Sequence, residues 1–178
     1  MITGEAIISY PAIFEPKENL SGKLKYSCSL LFDKSDTETI KALQAAIEKA
    51  IAKGQSTIWG GKLPNFRYEP LRDGDAELAS GDKDDKIYKN KFFLNCTSDT
   101  APGVVDSHAK ALMNQNALYA GCIVRADVNP FPYKNSGNSG VGWGLNNIML
   151  IGDGERLDGR KNAEDAFADV TETEEDLA

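Results

Sequence analysis

The chain has 178 residues, of which 41% are hydrophobic and 26% are charged, and its net charge is −7. This length and this composition favour one domain with a hydrophobic core. No apolar run approaches the ~20 residues of a membrane helix, and we expect no secretory signal because no basic segment followed by an apolar run opens the chain. Three scattered cysteines without Cys-x-x-Cys spacing argue against a disulfide framework or a zinc site and for reduced thiols in a cytoplasm.

Two strands are predicted near the N-terminus. Residues 4–14 mix β-branched and aromatic side chains, and Pro11 interrupts this first strand. The second strand, residues 23–32, alternates with period two. Its core-facing residues are predicted to be Leu24, Tyr26, Cys28, Leu30 and Phe32.

One amphipathic helix follows. Ser35 is a good N-cap, and Glu38 three residues later completes a capping box. Apolar residues recur at helical spacing up to Ile51, and Lys53-Gly54 is a typical stop signal. The helix is interpreted as a structural lid without chemistry of its own.

The rest of the body predicts a long connection and three more strands. Residues 55–86 are rich in turn formers and carry little periodicity, which is typical of functional loops. Strand patterns cover residues 87–97, 121–129 and 141–151, and a Gly/Asn/Ser-rich loop at 135–140 separates the last two. We expect a mainly β protein with an OB-fold-type, five-stranded, partly open β-barrel; a β-sandwich is the alternative.

Catalytic motifs are weak. His108 is the only histidine, and no nucleophile lies in a recognisable elbow around it. The glycine-rich stretch before Lys62 lacks the spacing and the Ser/Thr of a phosphate-binding loop. Acidic pairs are explained as tight turns, although a metal-dependent nuclease using them remains the alternative function. Its candidate ligands are Asp73, Asp75, Asp153 and Glu155.

Aromatic and basic residues are interleaved in the loops and on the outer faces of strands. Such a pattern favours single-stranded DNA, because bases stack on exposed rings while cations follow the phosphates. The candidate stacking rings are Trp59, Tyr68, Phe93, Phe131, Tyr133 and Trp143. The candidate phosphate contacts are Lys62, Arg67, Arg72, Lys91, Arg125 and Lys134. Several of these rings could instead belong to the core, and a scaffold without a nucleic-acid role is a third possibility.

The negative charge is confined to the C-terminus. From Asn162 to Ala178 there are seven acidic residues and no basic one, and removing these seven from the 27 acids leaves 20 against 20 bases in residues 1–161. A neutral body can still carry a basic groove. We expect residues 162–178 to be a disordered tail after a short helical or irregular exit, able to occupy that groove and to dock on partners. The predicted docking residues are Asp169, Glu172, Glu174, Glu175, Asp176 and Leu177.

Seven short motifs in sequence order resemble a known family. They are Phe14-Glu15-Pro16-Lys17, Trp59-Gly60-Gly61-Lys62-Leu63-Pro64, Pro70-Leu71-Arg72-Asp73-Gly74-Asp75, Pro102-Gly103-Val104-Val105-Asp106, Tyr119-Ala120-Gly121-Cys122, Gly144-Leu145-Asn146-Asn147 and Asp153-Gly154-Glu155-Arg156-Leu157-Asp158-Gly159-Arg160. Together they resemble the phage-encoded single-stranded DNA-binding proteins, formerly catalogued as a domain of unknown function. The resemblance spans nearly the whole body.

This resemblance implies an OB-fold DNA-binding domain over residues 1–161, with no catalytic activity, cofactor or metal. It also implies a role in phage DNA replication or recombination in the host bacterial cytoplasm. The expected partners are single-stranded DNA and, through the acidic tail, replication proteins such as a polymerase or a helicase–primase. No membrane partner is expected, and a homodimer is left open.

Overall fold

The computed structural model describes residues 1–161 and 163–170. The strands are β1 (Ala6–Glu18), β2 (Leu24–Asp33), β3 (Arg72–Asp73), β4 (Lys91–Ser98), β5 (Gly103–Val105), β6 (Ile123–Asn135) and β7 (Asn138–Gly152). The helices are α1 (Thr37–Thr57), α2 (Gly74–Ser80) and α3 (Ala163–Phe167), with 3₁₀ turns at Lys86–Tyr88, Gln115–Ala117 and Ala168–Val170. In this described part of the chain, no helix combines the length and apolarity needed to cross a bilayer.

Five of the strands close into a ring of pairings. β1 pairs with β2, β2 with β4, β7 with β6 and β6 with β1, all antiparallel. The ring closes because β4 also pairs with β7 in parallel, through Cys96↔Trp143 and Thr97↔Gly144. This arrangement is of the OB-fold class and confirms the mainly β prediction.

The core fills the ring and is covered by α1. Side chains from every strand of the ring meet Ile40, Leu43 and Ile47 of the helix in one buried cluster. The predicted capping box is wrong in detail: Asp36 is the N-cap and accepts from the Thr39 N–H at 3.2 Å. Ser35 instead donates its hydroxyl hydrogen bond to Asp33.

The helix also runs past its predicted stop at Gly54 and ends at Thr57. The helix needs a glycine at position 54 because the Trp59 ring lies directly against it. A Cβ at this position would come within 2.5 Å of Trp59 Cζ3. Trp59 therefore folds back onto α1 instead of projecting into solvent.

β6 and β7 are longer than predicted and form a hairpin arm, defined here as residues 130–142. The expected loop at 135–140 is a tight turn at Ser136–Gly137, with φ of 49° and 82°, and pairing continues from Asn135↔Asn138 inward. Two positive φ angles give the turn the twist that a hairpin requires. Pro130 and Pro132 lie within β6 and obscured the strand in the sequence, because proline weakens a strand prediction.

The long connection at 55–86 contains a short strand and a short helix. β3 pairs with β4 through Arg72↔Phe93, and α2 begins after the N-cap Asp73, whose carboxylate accepts from the Asp75 and Ala76 N–H groups. This segment covers the outer face of the ring at one end. Under it lies a second cluster of Leu31, Tyr88 and Phe93.

One lysine ties this covering segment to the ring. Lys34 Nζ, directly after β2, lies 2.7 Å from Asp73 Oδ1 and 2.8 Å from Asp75 Oδ2. The hydrogen bonds from Lys34 lower the pKa of both carboxyls, and those to Asp73 and Asp75 raise the pKa of the lysine. The start of α2 is therefore held by charge.

Gly54→Ala is expected to lower the free energy of unfolding by about 1–3 kcal/mol, because the new methyl group overpacks against Trp59. The sign of the change in the free energy of unfolding separates packing from helix propensity. Gly→Ala at an unobstructed helix position stabilises a protein by about 0.5–1 kcal/mol. Urea denaturation measures the change. Ala52→Gly on the exposed face of α1 is the control for helix propensity alone, and a stability gain in Gly54→Ala would contradict the packing.

Asp73→Asn is expected to destabilise the protein in a pH-dependent way, while preserving the N-cap since Asn also caps helices. A carboxyl group whose pKa is lowered on folding stabilises the protein at pH values above its pKa in the unfolded chain, which is about 3.9. This contribution is lost as the pH falls through the pKa of the folded state. The stability gap to wild type should thus be full at neutral pH and close in acid. Asp84→Asn in the neighbouring loop is the control, and a gap that persists in acid would refute the Lys34 link.

Candidate nucleic-acid interface

The outer face of the arm and of its base carries a stripe of glycines. Gly140, Gly142 and Gly144 of β7 pair with Tyr133, Phe131 and Asn129 of β6. The side chains of β6 lie across these glycines, because a Cβ at Gly142 would come within 2.7 Å of Phe131 Cζ, and one at Gly140 within 2.8 Å of the Tyr133 hydroxyl. The two aromatic rings of β6 therefore pack against the backbone of these glycines.

The two rings on this stripe form an accessible platform. Phe131 is 39% exposed and Tyr133 is half-buried. Their centroids are 6.5 Å apart and their planes are tilted by 56°. Rings held against backbone on one face and open on the other suit stacking of nucleic-acid bases.

Trp59 braces the arm from behind. Its Nε1 donates to the Tyr133 carbonyl at 3.2 Å, and its ring packs with Val141 and with Phe66, whose centroid is 5.6 Å away. The indole is 8% exposed. The prediction that Trp59 is an accessible ring is wrong, because the ring anchors the arm to α1.

Two further predicted rings are also buried. Trp143 lies in the core of the ring, 3% exposed, with Nε1 donating to the Pro70 carbonyl at 2.8 Å. Phe93 points outward from β4 as predicted, but it is fully buried by the second cluster and the Arg72 guanidinium, 4.8 Å from its centroid. Neither ring is an open platform.

Beside the arm, Tyr68 is exposed between two arginines. Phe66 bridges to Ser139 of β7, so the residues after it run next to the arm. Tyr68 is 55% exposed, with the guanidinium of Arg67 at 5.3 Å and that of Arg72 at 5.0 Å from its centroid. This group joins one ring to two cations.

The predicted cations differ in their availability. Lys62, Arg67 and Lys134 are exposed, and none makes an ion pair within the residues that the structure describes. Arg72 is held by Glu77 through two hydrogen bonds, one of 2.9 Å from its Nε. Two contacts with a half-buried carboxylate make Arg72 mainly structural.

Lys91 and Arg125 lie away from the arm. Lys91 Nζ is 3.5 Å from Asp33, and the lysine side chain is only 17% exposed. Arg125 Nε donates to the Thr3 carbonyl at 3.0 Å. Arg125 precedes Phe131 by six residues on the same strand, which places it about 20 Å from the platform.

A short polar surface on β2 and β4 adjoins the arm. Ser27 pairs with Thr97, and Ser29 pairs with Asn95, to which its hydroxyl donates at 2.5 Å. Thr97 in turn pairs with Gly144 at the base of the arm. This face of an OB fold is the one that commonly binds oligonucleotides.

Sequence reasoning missed Tyr10, which is 72% exposed at a bulge of β1. The signal was available, because Pro11 in the middle of a strand is typical of a bulge. The tail residue Asp169 lies exposed in the last 3₁₀ turn, and the helical exit from the body is confirmed by α3. The other predicted docking residues, Glu172, Glu174, Glu175, Asp176 and Leu177, and the predicted disorder of the tail, fall outside the described residues.

The nuclease alternative finds no support in this geometry. Asp73 and Asp75 both bind Lys34. Within residues 1–161 and 163–170, no group of three or more His, Cys, Asp or Glu side chains is placed to hold a metal ion.

An OB-type ring with an accessible pair of aromatic rings is typical of β proteins that bind oligonucleotides. Within this class, the family model of the Enterobacter phage Enc34 ssDNA-binding protein matches residues 1–178. The chain belongs to this family, which confirms the resemblance seen in its motifs.

Solved structures agree with the fold. The single-stranded DNA-binding protein of bacteriophage Enc34 in complex with ssDNA superposes with a TM-score of 0.72 at 21% identity, covering 88% of each chain. The single-stranded DNA-binding protein gp2.5 of bacteriophage T7 superposes with a TM-score of 0.62 at 16% identity, covering 98% of this chain and 95% of that one. A search of curated protein sequences finds no match.

Proposed function

We propose that the protein coats single-stranded DNA without sequence preference during phage DNA replication and recombination. The family supports single-stranded DNA as the ligand. The observation that carries the proposal is the pair of rings, Phe131 and Tyr133, resting on the glycine stripe with an open face. Every base has a π-face, so stacking on such rings is tolerant of sequence.

The exposed cations around the arm provide phosphate contacts for the single-stranded DNA. Lys62, Arg67 and Lys134 are exposed near the platform and are assigned to the phosphates, while Tyr68 offers a third ring. Each lost phosphate contact should reduce the salt dependence of log affinity by about 0.7 per log unit of salt. Arg72, Lys91 and Arg125 are left out because their internal partners already engage them.

Phe131→Ala and Tyr133→Ala are each expected to weaken binding to oligothymidine by about 1–3 kcal/mol, because each removes one stacking surface. Tyr133→Phe keeps the ring and should bind like wild type. A titration followed by fluorescence anisotropy of a labelled oligonucleotide measures the affinity, since both tryptophans are buried. Unchanged affinity in both alanine variants, with Tyr133→Phe also unchanged, would refute the platform.

The acidic segment 162–178 is proposed to compete with DNA for the basic surface and to dock on replication proteins when displaced. Seven acidic residues without a base resemble a phosphate chain in charge. Leu177 near the end gives a polymerase or helicase–primase surface an apolar anchor among these acids.

Truncation after Lys161 is expected to tighten binding to oligothymidine, because it removes a competing anion. The gain should be largest below about 0.1 M salt and shrink above it, since salt screens exposed charges. Titrations of full-length and truncated protein at both salt levels measure this. Equal or weaker affinity after truncation at low salt would refute the competition.

A further inference from the structure

A second basic surface lies on the far side of β1. An open groove of about 840 Å³ runs between β1 and the segment that follows β7. Among its lining residues are Tyr10 and Lys17 from β1, and Arg156, Arg160 and Lys161 from the later segment. None of these residues belongs to the arm or to the predicted DNA contacts.

The charge of the groove is positive although residues 1–161 are neutral as a whole. Four basic residues line it, against two acidic ones, Asp85 and Asp158. Asp158 is already engaged by Arg156, 3.2 Å away. Lys17, Arg160 and Lys161 make no ion pair within the part of the chain that the structure describes. Anions are therefore attracted to this groove.

Arg156 retains donor capacity at the floor of the groove. Its guanidinium is held over the Tyr119 ring at 4.1 Å. Its Nε is buried and has no acceptor among the described residues. Of the terminal N–H donors, Asp158 engages only one, on Nη1. A planar guanidinium with free donors suits a phosphate group.

Tyr10 presents a ring at the rim of the same groove. It has a φ of 46° at the bulge between Ser9 and Ala12, and it is 72% exposed. A bulky residue with positive φ is strained, and such strain persists mostly where function requires it. The bulge turns an aromatic ring out into solvent.

The groove borders the polar face that leads from the arm. Lys17 pairs directly with Lys25 of β2, and Ser9 pairs with Ser29, which continues to Asn95. Lys25 is ion-paired with Asp99, whereas Lys17 makes no ion pair within the part of the chain that the structure describes. Lys17 is therefore the cation on this border that is available to a phosphodiester.

We propose that the groove is a second section of the single-stranded DNA track, in which the backbone contacts Lys17, Arg160 and Lys161 while a base stacks on Tyr10. The strand runs from the arm, across the face of β2 and β4, into the groove. This inference rests on the proposed function and extends its footprint. A duplex fits less well, because its bases are not free to stack on an exposed ring.

The test compares short and long oligothymidine, of about 4 and about 16 nucleotides, which spans the range that OB folds bind. In the triple variant Lys17→Ala/Arg160→Ala/Lys161→Ala, affinity for the long oligonucleotide should fall at least tenfold. Its salt slope should drop by about 2, corresponding to three phosphate contacts at about 0.7 each. Affinity for the short oligonucleotide should stay within twofold of wild type.

Tyr10→Asn tests the stacking ring without harming the backbone, because Asn tolerates positive φ. It should weaken binding of the long oligonucleotide roughly tenfold, in the range of one lost stacking contact, and leave the short one unchanged. The charge control is Lys41→Ala/Lys49→Ala/Lys53→Ala on the exposed face of α1, which removes three positive charges elsewhere and should change neither affinity by more than twofold.

Several outcomes would contradict the proposal that the groove binds single-stranded DNA. One is a triple variant that loses short and long binding equally, or that loses neither. A second is a triple variant that loses only its binding to duplex DNA. A third is a triple variant whose only change is that truncation after Lys161 no longer affects its affinity, since the acidic segment would then be the occupant of the groove. Failure of the proposed function looks different, because Phe131→Ala would then leave binding of both lengths intact.

Discussion

The structure depends on a short parallel contact between β4 and β7. Only Cys96↔Trp143 and Thr97↔Gly144 pair there, yet they close the ring. At this contact Trp143 enters the core while Gly144 faces outward and leaves room for Asn129 across the strand. Beyond it, β6 and β7 pair mainly with each other. The same contact therefore seals the core and releases the arm.

The arm has two faces with different tasks. Its back is packed by Trp59, which ties it to α1 through Gly54 and to the loop through Phe66. Its front is stripped of side chains on β7, so that the rings of β6 can lie on backbone. A rigid back and an open front are what a stacking platform requires, because a base gains most from a ring that is already held in place.

Two unfavourable features lie beside the groove between β1 and the segment after β7. Tyr10 holds a strained φ, and the buried Nε of Arg156 has no acceptor among the described residues. Each lowers the stability of the free protein. Both lie beside the groove that is also lined by Lys17, Arg160 and Lys161.

Much of the fold could be read from local pattern. The alternation of β2 assigned the correct face to Cys28, Leu30 and Phe32, but Leu24 at the start of the strand is 64% exposed. The periodicity of α1 identified the residues that cover the core. Element ends were less accurate, since Gly54 in the sequence is indistinguishable from a helix stop. Pro130 and Pro132 likewise hid the arm, because proline is compatible with a strand only where its missing N–H has no partner to lose.

The sequence by itself determined the mainly β class, the single long helix, the family and the confinement of the acidic charge to the C-terminus. These follow from periodicity, composition and order of motifs, which are local properties of the chain. Only the tertiary structure decided which rings are open. Phe93 has the outward parity of a platform residue and is nevertheless buried, because a segment remote in sequence covers it. Exposure depends on what packs over a side chain from elsewhere in the chain, and no local pattern encodes that.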